Sequence, residues 1–160
     1  EEYLTNIKPH LTVFDSVGTH IDEINEYTRV YKPDVMFIDQ LDKVQVSGTY
    51  NRTDEKLKEV YVRAREIAKR HDCLLWAVSQ AGYEAEGKSM IDYSMLDNSR
   101  TGKAGEADLI IGIGRGADNN DLSDPNRCIT ISKNKLNGWH GSRHATISIR
   151  RGVFESDNNN

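Results

Sequence analysis

Blocks of apolar residues along the chain have two different spacings, and together they predict strands that alternate with helices. Residues 35–38 and 73–78 are apolar without interruption, which is typical of strands buried in a parallel sheet. Residues 21–31 and 53–70 carry apolar side chains every three or four positions, as amphipathic helices do. With residues 11–14 as a first strand, the order strand, helix, strand, helix, strand favours parallel pairing through right-handed crossovers.

Hydroxyl residues mark the predicted starts of both helices. Thr19 stands before the first helix with Asp22 three positions later, which is the spacing of a capping box, and Pro33 ends that helix. Thr53 stands before an acidic first turn, and the same helix ends in a basic turn, so its charges match the helix dipole. We therefore expect Thr19 and Thr53 to act as N-caps.

The C-terminal third of the chain contains the remaining predicted strands. Short apolar runs predict three of them, over residues 109–113, 127–132 and 153–154. Residues 144–150 alternate apolar with polar side chains, which is typical of an antiparallel strand with one solvated face. The fold class we predict is α/β, with a mainly parallel sheet flanked by helices and antiparallel strands at the C-terminal end. We expect one domain over residues 1–156 and a frayed polar tail over residues 157–160.

Composition narrows the classes of function. The formal net charge of −4 over 160 residues disfavours a protein that coats nucleic acid with its whole surface, although local basic loops remain compatible with phosphate contacts. We expect no membrane partner, since no apolar run is long enough to span a bilayer and no signal peptide is recognisable. Cys73 and Cys128 lack the spacing of a zinc site or disulfide scaffold, so a reducing cytoplasm fits. The chain begins at Glu1 rather than Met, and we expect it to be a piece of a longer protein.

Polar residues follow the two buried strands at the point where each strand ends. Asp39 comes directly after residues 35–38, and Gln80 follows residues 73–78. In open parallel sheets, ligands bind beyond the C-terminal strand ends, so both side chains are candidates for a shared site. An Asp after four apolar residues is the Walker B pattern, in which the carboxylate holds magnesium directly or through water. A structural cap for Asp39 and a turn-stabilising amide for Gln80 remain open alternatives.

Two glycine-rich segments imitate nucleotide-binding motifs. Residues 82–89 (GYEAEGKS) satisfy the P-loop expression, but two glutamates would stand beside the bound phosphates and the following residues form a poor helix start. Residues 112–117 (GIGRGA) resemble a dinucleotide fingerprint, but the turn-forming residues after them offer no helix N-terminus to a pyrophosphate. We therefore expect neither segment to bind nucleotide.

Two basic segments are candidates for phosphate contacts. Residues 98–103 are predicted as a flexible cationic loop with hydroxyl groups, suited to a nucleic-acid backbone, and a solvated loop is the alternative. Lys133 and Lys135 occupy alternate positions at the end of a predicted strand, so both side chains point the same way and reach one anion.

In order and spacing, four segments resemble the motor domain of the DnaB-like, phage-type hexameric replicative DNA helicases, which has a RecA-like fold. Residues 32–39 (KPDVMFID) resemble the Walker B strand of that family, and residues 76–80 (WAVSQ) resemble its third motif. Residues 99–114 (SRTGKAGEADLIIGIG) resemble the DNA-contacting loop and the strand that follows it. Residues 133–138 (KNKLNG), with Gly141 after them, resemble the last motif, which faces the neighbouring subunit. The resemblance covers residues 10–155.

The resemblance implies a role for each candidate residue, with ATP or another NTP and Mg²⁺ as cofactors. Asp39 would serve magnesium and Gln80 would sense the γ-phosphate, while Leu136 would pack against the base or the neighbouring subunit. Single-stranded DNA would be held in a central channel by five residues, namely Ser99, Arg100, Thr101, Gly102 and Lys103. Lys133 and Lys135 would reach the ATP of the adjacent subunit in a ring. The second of these is usually arginine in the family, so the bidentate fork is missing here. The implied location is the cytoplasm of a bacterium or of a phage-infected host.

The segment before residue 11 carries neither the P-loop nor the catalytic glutamate of that family. We therefore expect the longer protein to hydrolyse ATP and this stretch alone to be inactive. Three alternatives remain open: another RecA-type ATPase such as a recombinase or a KaiC-like protein, a non-catalytic module that binds single-stranded DNA, and a circularly permuted NTPase. The last of these would use Gly87, Lys88 and Ser89 as its phosphate-binding segment.

Overall fold

The computed structural model describes residues 11–15, 17–96, 100–117, 121–148 and 150–156, with the backbone alone at Arg100, Thr101 and Ser156. Three helices and six strands are described: α1 (Ile21–Tyr31), β1 (Val35–Ile38), α2 (Thr53–Arg70), β2 (Leu74–Ala77), α3 (Arg100–Glu106), β3 (Leu109–Arg115), β4 (Asn126–Asn134), β5 (Gly141–Ser148) and β6 (Val153–Ser156). Short 3-10 turns cover Leu41–Lys43, Tyr83–Ala85 and Tyr93–Met95. The predicted tail over residues 157–160 lies outside the described residues.

The described strands form two sheets. β1 and β2 pair in parallel, with Val35 opposite Leu74 and Ile38 opposite Ala77. The other four strands form an antiparallel sheet in the order β3-β4-β5-β6. The α/β class is therefore confirmed, but a mainly parallel sheet is wrong for the described strands. The reason is the short connection between β3 and β4, which permits an antiparallel pair, whereas a parallel pair needs a long crossover.

Both long helices form where their spacing predicts them, but their first residues differ from the prediction. The N-cap of α1 is His20 rather than Thr19: its Nδ1 accepts a hydrogen bond from the Asp22 backbone N–H at 3.2 Å, and Glu23 completes the capping box. Thr53 is the first residue of α2, after Arg52. An imidazole nitrogen serves as the acceptor that a hydroxyl was expected to supply.

The predicted strand over residues 11–14 is wrong, because those residues have no regular secondary structure. Leu11 and Val13 are 79% and 82% exposed. β-forming side chains stabilise a strand only when a partner strand is present. No strand pairs with this segment among the described residues, although the Phe14 ring stacks on Tyr27 of α1 with the centroids 4.5 Å apart.

The main core lies between α1, α2 and one face of the parallel strand pair. Its buried members are Ile21, Ile24, Leu41, Val44, Val60, Ala64 and Ile67. Met36 and Ile38 of β1 and Leu75 of β2 pack against this cluster. Burial alternates along β1, because the pleat sends every second side chain to the core, whereas in β2 Leu75 is half-buried and Ala77 is exposed.

The opposite face of the parallel pair is open, although the sequence predicts strands that are buried on both faces. Phe37 is 74% exposed and Leu74 is 55% exposed, and Val35, Trp76 and Val78 share that face. The Phe37 and Trp76 rings stack with their centroids 6.4 Å apart. Such an apolar face normally carries a second layer of structure.

The core assignment predicts a strong contrast between two leucines. Leu41 is 1% exposed, whereas Leu122 is 79% exposed. We expect Leu41→Ala to lower the free energy of unfolding by about 2 to 5 kcal/mol, through lost burial and the cavity left behind. Leu122→Ala is the matched control and is expected to stay within about 0.5 kcal/mol of the unsubstituted chain. Urea unfolding measures both, and equal costs at the two positions would contradict the core assignment.

Candidate functional site at the strand ends

The parallel pairing brings the C-terminal ends of β1 and β2 to the same edge. Beyond the last paired residues, the Val78 N–H donates to the Ile38 carbonyl at 3.0 Å, and the Leu41 N–H donates to the Val78 carbonyl at 3.2 Å. Asp39 follows β1 directly and Gln80 lies three residues past β2, and both side chains are exposed. The two residues thus lie at one edge of the sheet, where solutes have access to both.

The chain turns sharply after Asp39. Gln40 has a φ of 54° and a ψ of 63°, a left-handed conformation that is uncommon outside glycine. Leu41 then enters the core and begins the 3-10 turn Leu41–Lys43. This turn places Asp42 back beside the end of β2, so a second carboxylate stands behind the exposed one.

Asp42 is the centre of a partly buried polar cluster that also contains Tyr61, Ser79 and Lys103. The Tyr61 hydroxyl donates to Asp42 Oδ1 at 2.8 Å, and Ser79 Oγ donates to Asp42 Oδ2 at 2.9 Å. Lys103 Nζ lies 2.8 Å from Asp42 Oδ2 and 3.1 Å from Ser79 Oγ. The cluster joins the turn after β1, helix α2, the segment after β2 and helix α3.

The Asp42–Lys103 ion pair is largely shielded from solvent. The Lys103 side chain is 2% exposed and that of Asp42 is 19% exposed. A lysine ammonium in such surroundings needs partners for its donors, and here a carboxylate and a hydroxyl supply them. The Tyr61 ring adds a contact, with Nζ 5.8 Å from its centroid.

Tyr61 acts as a neutral hydrogen-bond donor in the cluster. Burial raises the pKa of its phenol well above the usual value, and the neighbouring Asp42 carboxylate also raises it, against a lowering hydrogen bond with Ser79. Both a hydrophobic environment and an adjacent negative charge disfavour the phenolate. The phenol therefore keeps its proton and remains available to the carboxylate.

The predicted cationic loop over residues 98–103 is wrong from residue 100 onward, because those residues begin helix α3. Ser99 lies outside the described residues, and Arg100 and Thr101 are described by their backbone, in the first turn of α3. Gly102 is buried, and Lys103 faces Asp42 and Ser79. In this arrangement the Lys103 ammonium is turned into the protein, so its expected contact with a DNA phosphate is not available to it.

Lys133 and Lys135 reach the C-terminal end of α3. Lys133 Nζ donates to the Ala104 carbonyl, and Lys135 Nζ donates to the Gly105 carbonyl at 3.1 Å. Arg65 of α2 donates to the Glu106 carbonyl as well. Three cations thus bind the carbonyls that a helix leaves without intrahelical partners, where the helix dipole also favours positive charge.

The alternate spacing of Lys133 and Lys135 does bring both ammonium groups to one place, but the common target is a helix end of this chain. Partial burial lowers the pKa of Lys133, and the nearby positive charge of Lys135 lowers it further. Lys135 remains 46% exposed and lies 3.9 Å from Asp108. Leu136, at the turn after β4, is 74% exposed.

The two glycine-rich segments are explained by their packing against each other. A Cβ at Gly114 would lie 2.0 Å from the Ser89 carbonyl oxygen, and one at Gly112 would lie 2.4 Å from the Ile91 carbonyl oxygen. Only glycine lets residues 88–91 cross β3 so closely. No α-helix follows Ser89 in the described residues 90–96, where the 3-10 turn Tyr93–Met95 is the regular element, so the helix N-terminus of a P-loop cradle is missing there. The described structure of residues 82–96 therefore does not support the circularly permuted NTPase.

Two structural features that would mark other classes of site are absent from the described ranges. Within the described ranges, no helix is both long enough and apolar enough to cross a membrane. The same ranges contain no group of three or more His, Cys, Asp or Glu residues placed to hold a metal ion. A magnesium ion that arrives with a nucleotide needs only one or two protein carboxylates, since the phosphates and water supply the other ligands.

Comparison with known proteins gives a fold but no sequence family. No family model matches the chain, and no curated protein sequence matches it. Among solved structures, the chain is similar to an ATPase domain, with a TM-score of 0.78 and 21% identity over 91% of this chain. It is also similar to a DnaB-like replicative helicase, solved in a study of its interactions with primase, with a TM-score of 0.78 and 21% identity over 90% of this chain.

The chain spans 54% of the first of these structures and 37% of the second. The resemblance that the sequence motifs predict is therefore confirmed at the level of the fold. At 21% identity, this similarity shows a shared fold, and the roles of individual residues remain predictions.

Three of the four members of the cluster were not predicted from the sequence as site residues, namely Asp42, Tyr61 and Ser79. A signal for Tyr61 was present, since a tyrosine within an apolar helical stripe needs a partner for its hydroxyl. Asp42 lies in a polar segment, and its position beside the end of β2 depends on the left-handed turn at Gln40, which the sequence did not predict. Ser79 was not singled out, because the amide of the next residue, Gln80, was the candidate at that strand end.

Substituting the two members of the Asp42–Lys103 ion pair is expected to lower the free energy of unfolding by different amounts. Asp42→Asn leaves the Lys103 ammonium buried without a counter-charge, and we expect the free energy of unfolding to fall by about 3 to 5 kcal/mol. Lys103→Met is expected to cost less, because Asp42 keeps its two hydroxyl donors. The double variant should recover most of the loss caused by Asp42→Asn, because it removes both charges together.

Denaturant unfolding of the four proteins in this cycle gives the interaction free energy of the pair. Arg63→Met is the control, because Arg63 pairs with Asp22 at 3.0 Å on the surface, with side chains 41% and 62% exposed. It should cost no more than about 1 kcal/mol. Additive effects of Asp42→Asn and Lys103→Met would show that the two side chains do not depend on each other.

Proposed function

We propose that this chain is part of the ATP-driven motor of a replicative DNA helicase, which couples nucleotide hydrolysis to movement on single-stranded DNA. The observation that carries the proposal is the meeting of Asp39 and Gln80 at one exposed sheet edge, in a fold similar to an ATPase domain and a replicative helicase. Ligands bind at this edge in open α/β sheets. The rest of the motor would belong to the longer protein that contains this chain.

Asp39 and Gln80 have the chemistry that a magnesium–nucleotide complex requires. Asp39 is an exposed carboxylate directly after a strand, and it would hold Mg²⁺ directly or through water. When bound, the ion neutralises phosphate charge during phosphoryl transfer. Gln80 would donate its amide N–H to the γ-phosphate, so that its surroundings differ before and after hydrolysis. Without a P-loop cradle in residues 82–89, we expect this stretch alone to be inactive.

The exposed apolar face of the parallel pair supports a longer motor domain. A face that carries Phe37, Leu74 and Val78 in contact with solvent requires a cover. This chain spans 54% of one similar structure and 37% of the other, so both contain substantial further chain. We propose that residues of the longer protein, including its phosphate-binding segment, form this second layer.

For DNA, the proposal rests on the first turn of α3. Arg100 and Thr101 would line a channel that holds single-stranded DNA, and the buried Gly102 and Lys103 would support them from within the protein. Phosphate contacts of this kind need few cations, which is compatible with a net charge of −4.

For assembly, we propose a homo-oligomeric ring, a hexamer by analogy with the predicted family. Lys135 and Leu136 are the exposed residues that would face the neighbouring subunit and its nucleotide. Lys133 donates to the end of α3, so we assign it the support of that helix in its own chain.

The experiment compares two aspartates of the longer protein at opposite ends of one strand. Asp39 follows β1 and Asp34 precedes it, and both are exposed. Asp39→Asn should lower magnesium-dependent ATP hydrolysis and the separation of a forked duplex by about 10-fold or more, because a carboxylate near the metal is lost. Asp34→Asn is the control and should leave both rates unchanged.

The outcomes separate the proposal from its rivals. Hydrolysis without strand separation would favour a recombinase or a KaiC-like ATPase. The absence of any magnesium-dependent nucleotide binding would favour a non-catalytic module that binds single-stranded DNA. Equal losses in Asp34→Asn and Asp39→Asn would remove Asp39 from the metal site.

A further inference from the structure

We infer that the Asp42–Lys103 ion pair is the connection that makes helix α3 follow the segment after β2, so that nucleotide state at the sheet edge changes DNA affinity. This inference rests on the proposed function and adds two positioning residues to it. Neither residue would touch nucleotide or DNA. Each would act through the elements that it joins.

The pair joins two segments that are far apart in the sequence. Lys103 and Asp42 are 61 residues apart, and Ser79 is 24 residues from Lys103. Ser79 donates to Asp42 and accepts from Lys103, and it is the residue directly before Gln80. A displacement of Gln80 therefore acts first on a serine that is bonded to both members of the ion pair.

Burial makes the connection stiff. With Lys103 2% exposed, water has little access to compete for its ammonium group. Hydrogen bonds between charged groups are strong and directional, and they strengthen in surroundings of low polarity. A shift of the segment after β2 would stretch two short bonds to the same nitrogen, at 2.8 Å and 3.1 Å, unless α3 moves as well.

Helix α3 depends on polar contacts more than on apolar packing. Its seven residues are Arg-Thr-Gly-Lys-Ala-Gly-Glu, and Ala104 is its one buried apolar side chain among the described residues. Its C-terminal carbonyls receive hydrogen bonds from Arg65, Lys133 and Lys135. The helix is thus held at its C-terminal end by backbone contacts and in its middle by Lys103.

Lys103 also lies close to the residues proposed to contact DNA. One helical turn contains 3.6 residues, so Arg100 and Thr101 share the first turn of α3 with Lys103. The position of the Lys103 ammonium therefore sets the position of that turn. A two-sided link of this kind has the form of an allosteric coupling between the nucleotide edge and the DNA-contacting turn.

Lys103→Met is the variant that tests this link. Methionine keeps most of the buried stem and removes the ammonium group, while Asp42 keeps the hydrogen bonds from Tyr61 and Ser79. Arg63→Met is the matched control, because it removes an exposed cation that pairs with Asp22 of α1 and takes no part in the Asp42–Lys103 cluster.

The measurement is the affinity of the full-length longer protein for a fluorescent single-stranded oligonucleotide, with and without a magnesium complex of a non-hydrolysable ATP analogue. The ratio of the two affinities gives the coupling. We expect Lys103→Met to reduce this ratio by at least about 5-fold, the lower end of typical coupling between sites. Arg63→Met should leave the ratio unchanged. If Lys103→Met melts at a lower temperature, the double variant with Asp42→Asn takes its place in the same measurement.

Each outcome of this measurement either supports or overturns the inference. A ratio that collapses in Lys103→Met but not in Arg63→Met supports the link. Equal losses of affinity with and without the analogue would show that Lys103 contacts DNA itself, and an unchanged ratio would show that the ion pair is structural; both overturn the inference. An unsubstituted protein that binds the analogue and DNA with no coupling overturns the inference alone, whereas one that binds neither overturns the proposed function as well.

Discussion

A parallel strand pair delivers the C-terminal ends of both strands to the same side of a sheet, and the candidate site depends on this constraint. The register of β1 and β2 fixes Asp39 and the segment of Ser79 and Gln80 at a common edge. Antiparallel pairing would have sent them to opposite edges. The left-handed turn at Gln40 adds a second consequence, because it returns Asp42 to that edge from the protein side.

The edge therefore has an exposed and a buried layer with different tasks. Asp39 and Gln80 are exposed and free of the constraints of packing, which suits contact with a solute. Asp42, Ser79 and Lys103 lie behind them and are bonded to one another, which suits a mechanical role. Burying a lysine has a cost in desolvation, which its bonds to Asp42 and Ser79 offset here.

The sequence predicted features that depend on long, regular patterns, and it failed where tertiary contacts decide. The spacing over residues 53–70 and the apolar runs of β1 and β2 located α2 and the shared edge. Helix α3 escaped prediction because Gly102 and Gly105 disfavour a helix, and its stability comes from Lys103 and from cations at its C-terminal end. Residues 11–14 have the composition of a strand but no partner strand among the described residues.

Hydrogen exchange of the full-length longer protein, with and without a magnesium complex of a non-hydrolysable ATP analogue, tests the nucleotide edge most directly. Backbone amides after β1 and β2, over residues 39–42 and 78–82, should exchange more slowly when the analogue is bound, because its phosphates cover that edge. Unchanged exchange in both segments, with slowing over residues 86–90 instead, would contradict a nucleotide site at Asp39 and Gln80.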